Sequence, residues 1–224
     1  MTRVKVKICG VRSLEEAQAA VDAGADALGF NFWPPSARYI EPHAAREVIT
    51  GIPPTVCTVG VFVNEQADRI VDIASELGLS AVQLHGDESP EFCERLTSIK
   101  TIKAIRVGRD FDLSVIESYR VDMVLLDSSS EGSYGGTGQR FDWRIAIEAK
   151  HLAPIILAGG LTTENVWDAI TQVRPVAIDV CSGVEAEPGR KDLDRLRGFM
   201  AVAEQANALI AGKDEDRVRT RFSQ

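Results

Sequence analysis

Short apolar, β-branched runs alternate with amphipathic stretches of helical period along almost the whole chain. The runs are Val4–Ile8, Ala27–Phe30, Val56–Phe62, Ala81–Leu84, Thr101–Arg106, Met123–Leu126, Ile155–Leu157 and Val176–Asp179, and a helix-sized segment follows each. Strands separated by helices in this way predict a parallel sheet with right-handed crossovers. Eight such units close on themselves more naturally than they spread into an open sheet, because closure leaves no edge strand. The expected fold is an α/β, single-domain (β/α)8 barrel of the TIM type.

Helix boundaries are written into the same pattern. Ser13-Leu14-Glu15-Glu16 fits a capping box, in which serine and glutamate satisfy each other's exposed amides, and Gly24 follows as a C′ residue. Asn64 and Gly78 are expected to cap and end the third helix. Ser89-Pro90 places proline at a first helical position, and Thr162 caps a helix over Glu164–Ile170. The fifth helix, around Asp112–Tyr119, is short and lacks a clear stop. No linker divides the chain: residues 1–211 form one catalytic barrel domain, and the polar residues 212–224 are expected to be a frayed, disordered tail.

Composition narrows the class. Apolar residues make up 45% and charged residues 26%, an ordinary globular balance. A net charge of −8 argues against a nucleic-acid partner, which would need a clustered basic face. A small anionic substrate stays possible, held by local amides and an arginine. No run approaches the roughly 18 to 20 apolar residues of a membrane span, and MTRVKVKICG lacks the apolar core of a signal peptide. A cytoplasmic monomer or homodimer, without membrane or nucleic-acid partners, is expected. Cys9, Cys57, Cys93 and Cys181 are far apart and form no CxxC pair, so neither a zinc site nor a disulfide framework is suggested. His43 and His151 fall in helical segments and only His85 ends a strand, so no metal is expected.

In a closed α/β barrel the active site is built at the C-terminal ends of the strands. Gly159-Gly160 and Ser182-Gly183 follow strands 7 and 8, where glycine lets backbone amides approach a phosphate closely; the alternative is that they only permit tight βα turns. Cys9 opens the first βα loop, where a stabilised thiolate can serve as general base; the alternative is a small buried apolar residue. Cys57 and Cys93, inside a strand and a helix, are read as packing. Asp127 follows the apolar run Met123–Leu126, and a carboxyl in so apolar a mouth suits a general acid; the alternative is a cap on the next turn. Arg38 sits among Trp33, Pro34, Pro35 and Tyr39, where a guanidinium can grip a carboxylate with both arms; the alternative is an ordinary surface salt bridge.

Taken together these residues resemble the phosphoribosylanthranilate isomerases of tryptophan biosynthesis, over the chain to about Ala211. The landmarks are KICG at Lys7–Gly10, SxRYI at Ser36–Ile40, QLHG at Gln83–Gly86 and GGTGQRFDW at Gly135–Trp143. LAGGLTxEN follows from Leu157, then DVxSGVE at Asp179–Glu185 and PGRKD at Pro188–Asp192. The resemblance implies an Amadori rearrangement of N-(5-phosphoribosyl)anthranilate to 1-(2-carboxyphenylamino)-1-deoxyribulose 5-phosphate, without a cofactor. It implies Cys9 as base, Asp127 as acid, and Arg38, Gly159, Gly160, Asp179, Ser182 and Gly183 as substrate contacts.

Two positions depart from the family pattern. Ala37 stands where the family has proline, which loosens the Arg38 loop, and Cys181 replaces a serine. Because strands 1 and 8 are neighbours in a closed barrel, Cys9 and Cys181 are expected close together, where oxidation would link them. Two rival readings are a related barrel isomerase of the histidine pathway, which favours aspartate at position 9, and a non-catalytic phosphate-binding barrel. The glycine-rich segment after Asp127 is expected to close over the substrate.

Overall fold

The computed structural model describes residues 3–128 and 141–221, with side chains to residue 212. Eight parallel strands close into a ring in chain order: β1 (Lys5–Cys9), β2 (Ala27–Asn31), β3 (Cys57–Phe62), β4 (Ala81–Leu84), β5 (Thr101–Val107), β6 (Met123–Ser128), β7 (Ile155–Leu157) and β8 (Ala177–Val180). The ring is sealed by β1 against β8, in a register running from Lys5 opposite Ala177 to Ile8 opposite Val180. Each strand lies within two residues of the run that predicts it.

Both faces of these strands are buried, as a parallel sheet with crossover helices requires. Outward residues such as Val6, Ile8, Leu28 and Phe30 pack with the helices in the main core. Inward, Val59, Ala81, Ile102, Ala104, Leu125, Ile156 and Ala158 form a separate small plug. Compact and branched side chains fill a barrel of this size.

The intervening helices are α1 (Leu14–Asp22), α2 (Pro42–Thr50), α3 (Ala67–Leu77), α4 (Pro90–Cys93), α5 (Ser114–Glu117), α6 (Trp143–Ala149) and α7 (Val166–Asp168). Ser13 caps α1 by accepting the Glu16 amide, and Gly24 follows at φ +92°. Only half of the expected capping box forms. The Glu16 carboxylate accepts the Arg12 and Lys191 amides at 2.9 and 2.8 Å, tying two distant loops together. Gly78 ends α3 in the left-handed conformation, and Ser89 caps α4 ahead of Pro90. Asn64 is not the cap of α3, which begins after Gln66. It sits at φ +50° and its Oδ1 accepts the Asp87 amide at 2.7 Å, so it braces the β4 loop. Asn165, rather than Thr162, precedes α7, and its Oδ1 accepts the Thr162 amide at 3.0 Å. α5 is a single turn, as its weak pattern suggests.

Beyond β8 the chain makes a tight turn over Ser182–Val184 and a small hairpin, β9 (Glu185–Glu187) with β10 (Arg190–Lys191). The alternation of runs does not predict this hairpin, which is too short to carry a period. The last helix, α8 (Leu193–Arg221), buries Leu196, Phe199, Met200, Ala203 and Ala206 against the barrel. Its backbone stays helical past Gly212, where composition suggests a frayed end; residues 222–224 lie outside the described residues. So do residues 129–140, the glycine-rich segment expected to close over the substrate. Among the described residues, no helix is long and apolar enough to cross a membrane.

Candidate active site

Strand parity decides which polar side chains enter the barrel. Lys7 and Cys9 share the inward face of β1, Gln83 and His85 that of β4 and its extension, while Asp127 and Asp179 come from β6 and β8. Cys9, His85, Asp127, Asp179 and Cys181 line one cavity at the C-terminal mouth, about 680 Å³ with its opening. Trp33 and Arg38 from the β2 loop complete one wall, and Gly159, Gly160 and Ser182 from the β7 and β8 loops complete another.

Lys7 anchors the floor. Its ammonium meets Asp179 Oδ1 and Gln83 Oε1, each at 3.0 Å. Burial works against its charge, but the Asp179 carboxylate and Cys9 sulfur more than offset this, and its pKa is raised. Burial, reinforced by the negative Cys9 and opposed by Lys7, pushes the Asp179 carboxyl up to about 7. Cys9 and Lys7 fit side by side because position 29 on the neighbouring strand is glycine. A Cβ there would lie 2.8 Å from the Cys9 sulfur and 3.1 Å from Lys7 Nζ.

Cys9 has its pKa held well below that of an ordinary thiol. A hydrogen bond from Cys181 is the chief cause; burial opposes it, and the charges of Lys7 and Lys191 reinforce it. Cys181 is correspondingly pushed up, by that same hydrogen bond and by burial. Both cysteines are free thiols, side by side as adjacent strands place them. Lys191 Nζ stands 3.0 Å from Glu185 Oε1, and Arg38 grips Glu185 through Nε at 3.0 Å and Nη2 at 2.8 Å. Three basic side chains and two carboxyl groups thus surround the pair of thiols, and the surplus of positive charge favours a thiolate.

Asp127 faces the same cavity from β6, three strands along the ring. Its Oδ1 accepts the Ser128 amide at 2.8 Å, and its Oδ2 lies 3.3 Å from His85 Nε2. Between β6 and β1 lie the two glycine loops. Gly159 and Gly160 are both left-handed, at φ +81° and +62°, a turn that favours glycine. Their amides find no acceptor among the described residues. Gly183 is the exception among the residues singled out from sequence. It lies behind the cavity wall, where a Cβ would come within 1.9 Å of the Leu161 carbonyl oxygen, so its lack of a side chain lets the β7 and β8 loops pack together. Among the described residues, no group of three or more His, Cys, Asp or Glu is disposed to hold a metal.

Lys7, Gln83, Glu185 and Lys191 do not line the cavity but support it from behind, and none is among the candidate residues that the sequence singles out. The first two had a signal: a long polar side chain two residues before Cys9 or His85 must share its face. Glu185 and Lys191 had none, since both depend on the short hairpin.

Fold and cavity together define a (β/α)8-barrel enzyme with its site at the C-terminal mouth. Residues 6–202 match the family described as N-(5'-phosphoribosyl)anthranilate (PRA) isomerase. The isomerase of that name from Geobacter sulfurreducens is 51% identical over 197 residues, 88% of this chain and 97% of the relative. The crystal structure of the Thermotoga maritima enzyme superposes with a TM-score of 0.84 at 45% identity, covering 90% of this chain and 99% of that one. A crystal structure of a phosphoribosyl anthranilate isomerase in complex with reduced 1-(o-carboxyphenylamino)-1-deoxyribulose 5-phosphate gives a TM-score of 0.81 at 44% identity, again covering 90% of this chain and 99% of that one. The chain belongs to the N-(5'-phosphoribosyl)anthranilate isomerase family and is an isomerase of tryptophan biosynthesis.

Proposed function

We propose that this barrel rearranges N-(5-phosphoribosyl)anthranilate to 1-(2-carboxyphenylamino)-1-deoxyribulose 5-phosphate, with Cys9 as base and Asp127 as acid. The observation that carries the reading is that a thiol biased towards thiolate and a buried carboxyl face one cavity, with the β7 and β8 glycine loops between them. Those loops suit the 5-phosphate, through the Gly159 and Gly160 amides and the mouth of the Ser182 turn.

Arg38 suits the anthranilate carboxylate. Its Nε–Nη2 edge is taken by Glu185, while Nη1 has no partner among the described residues and the side chain lines the cavity. Glu185 thereby holds the guanidinium rigid with an edge left for the ligand. Around the ring the order is Arg38, Cys9, the phosphate loops, then Asp127. A substrate reaching from Arg38 to the loops presents its C1–C2 bond to Cys9.

Chemistry then proceeds in two proton transfers to and from the protein, followed by tautomerisation. Asp127 protonates the furanose oxygen, the ring C–O bond to C1 breaks, and the anilino nitrogen supplies the electrons to form an iminium ion. Cys9 thiolate takes the C2 proton; the C–H electron pair becomes the C1=C2 bond and the iminium pair returns to nitrogen. The resulting enolamine moves its hydroxyl proton to C1 and becomes the ketone. The substrate's own imine is the electron sink. Asp179 and Lys7 hold the charge around Cys9 during the step.

Fluorescence of freshly prepared phosphoribosylanthranilate, followed during turnover by the parent and by Cys9→Ser and Asp127→Asn, tests the reading. Turnover by the parent with large losses in both variants supports it. A folded parent without turnover, or either variant at parental rate, refutes it.

A further inference from the structure

Beneath the cavity runs a polar chain whose two hydrogen bonds each have a fixed direction. Lys7 is a donor only, so Gln83 must turn its carbonyl oxygen towards it, at 3.0 Å. The Gln83 amide nitrogen then faces His85 Nδ1, at 2.8 Å. An amide NH2 can only donate, so Nδ1 accepts, and the ring proton is placed on Nε2. Nε2 is buried, has no aligned hydrogen-bond partner, and stands 3.3 Å from Asp127 Oδ2. Gln83 is wholly buried, and His85 lines the cavity.

The loop carrying His85 is itself held. Glu88, buried immediately beyond it, accepts the Gly86 amide at 2.9 Å, the Asn64 amide at 2.8 Å and Lys103 Nζ at 2.6 Å. Lys103 also donates to the Gly86 carbonyl oxygen at 2.8 Å. The ring can neither slide along the strand nor rotate without breaking its bond to Gln83.

We propose that Lys7, Gln83 and His85 form an oriented hydrogen-bond chain that presents the His85 Nε2–H to Asp127, making His85 and Gln83 positioning residues for the acid. This rests on the reading of Asp127 as the acid. When Asp127 gives up its proton, its carboxylate is met by two donors, the Ser128 amide at Oδ1 and His85 at Oδ2. The Ser128 amide is already bonded to Oδ1, and the His85 Nε2–H stands 3.3 Å from Oδ2 without being aligned to it, so a turn of the Asp127 carboxylate completes the second bond as the charge appears. The same chain starts beside Cys9, so Lys7 serves the base directly and the acid through two intermediaries.

The experiment pairs kinetics with 15N NMR of the histidine ring, which distinguishes protonation at Nδ1 from protonation at Nε2. In the parent, His85 is expected to carry its proton on Nε2. Gln83→Glu places a carboxylate oxygen against Nδ1, draws the proton there, and turns a lone pair towards Asp127. Its kcat is expected to fall about 10- to 100-fold, the size of one lost hydrogen bond to a charged group, with KM little changed. Independently, His85→Gln retains a donor and should keep kcat about tenfold above His85→Phe. A parent protonated on Nδ1, or a Gln83→Glu variant with a switched tautomer and parental kcat, would overturn the chain. Equal kcat in His85→Gln and His85→Phe would do the same. Asp127→Asn separates the two ideas: if it keeps parental kcat, the acid assignment itself has failed, and the chain has no acid to serve.

Discussion

Gly29→Ala tests the crowding around Cys9 with a single methyl group. Gly29 has ordinary strand dihedrals, so alanine brings no backbone strain and the effect is steric alone. The new Cβ would stand 2.8 Å from the Cys9 sulfur, about 1 Å inside an ordinary contact of roughly 3.5 to 4 Å. Lys7 Cε and Nζ, both at 3.1 Å, block the other side. Lys7 cannot retreat freely, because its ammonium is tied to Asp179 and Gln83 at 3.0 Å each. The sulfur, on one rotatable bond, must therefore yield. Overpacking of this kind costs about 1–3 kcal/mol, which lowers Tm by about 2–4 °C per kcal/mol in a chain of this size. Displacing the base by about 1 Å costs on the order of 100-fold in rate. Thermal unfolding and kcat/KM from substrate fluorescence read the two effects separately. A variant with parental Tm and parental kcat/KM would show that the site tolerates the methyl, and the argument for a tightly placed Cys9 would fall.

Removing Lys7 should move the base without removing it. Lys7 favours the Cys9 thiolate, so Lys7→Met raises the thiol pKa, and the acid limb of the kcat/KM profile shifts to higher pH; an unmoved limb refutes this. Arg38→Lys keeps the charge but loses the fork on Glu185 and the second edge, so KM for phosphoribosylanthranilate should rise about tenfold or more while kcat changes less. An unchanged KM would remove Arg38 from carboxylate recognition. Lys103→Met strips the partner from Glu88, whose side chain is 2% exposed, and should cost about 3–5 kcal/mol in urea unfolding. A loss below about 1 kcal/mol would mean that the amides around Glu88 suffice to hold its charge.

Much of the barrel is legible in the chain because each strand buries both faces and each helix buries one. The runs that predict β1 to β8 are short enough to be strands and apolar enough to need cover on both sides. What the pattern misses depends on contacts distant in sequence. The β9–β10 hairpin is anchored by Lys191, whose ammonium donates across the hairpin to Glu185 and whose amide donates to Glu16, 175 residues away. Asn64 reads as a cap because polar residues before helices usually are. Its side chain instead serves Asp87, 23 residues away, an interaction with no local trace. Cys9, Asp127 and Arg38 were visible as chemically expensive residues at strand mouths. Their partners were not, because partnership is set by barrel closure.

Lys7 and Lys103 show where the limit lies. Each is a lysine inside an apolar strand, almost wholly buried, and each is paired with a buried carboxylate. Locally they look alike. Lys103 falls between Ile102 and Ala104, which belong to the inner plug, so it points outward and fastens the β4 loop through Glu88. Lys7 falls between Val6 and Ile8, which belong to the outer core, so it points inward and reaches the cavity floor. In a sheet covered on one face, alternation would reveal which side is wet and hence which lysine is exposed. Here both sides are dry, and the period of two gives relative parity without saying which parity is inside. Cys9 could have settled it, being two residues beyond Lys7 at a strand end that must face the mouth. The general consequence is that, once one residue of a barrel strand is assigned to the site, every polar residue an even number of positions before it becomes a candidate for the layer beneath. In this chain that rule recovers Lys7 from Cys9 and Gln83 from His85, and it leaves Lys103 where its charge does structural work.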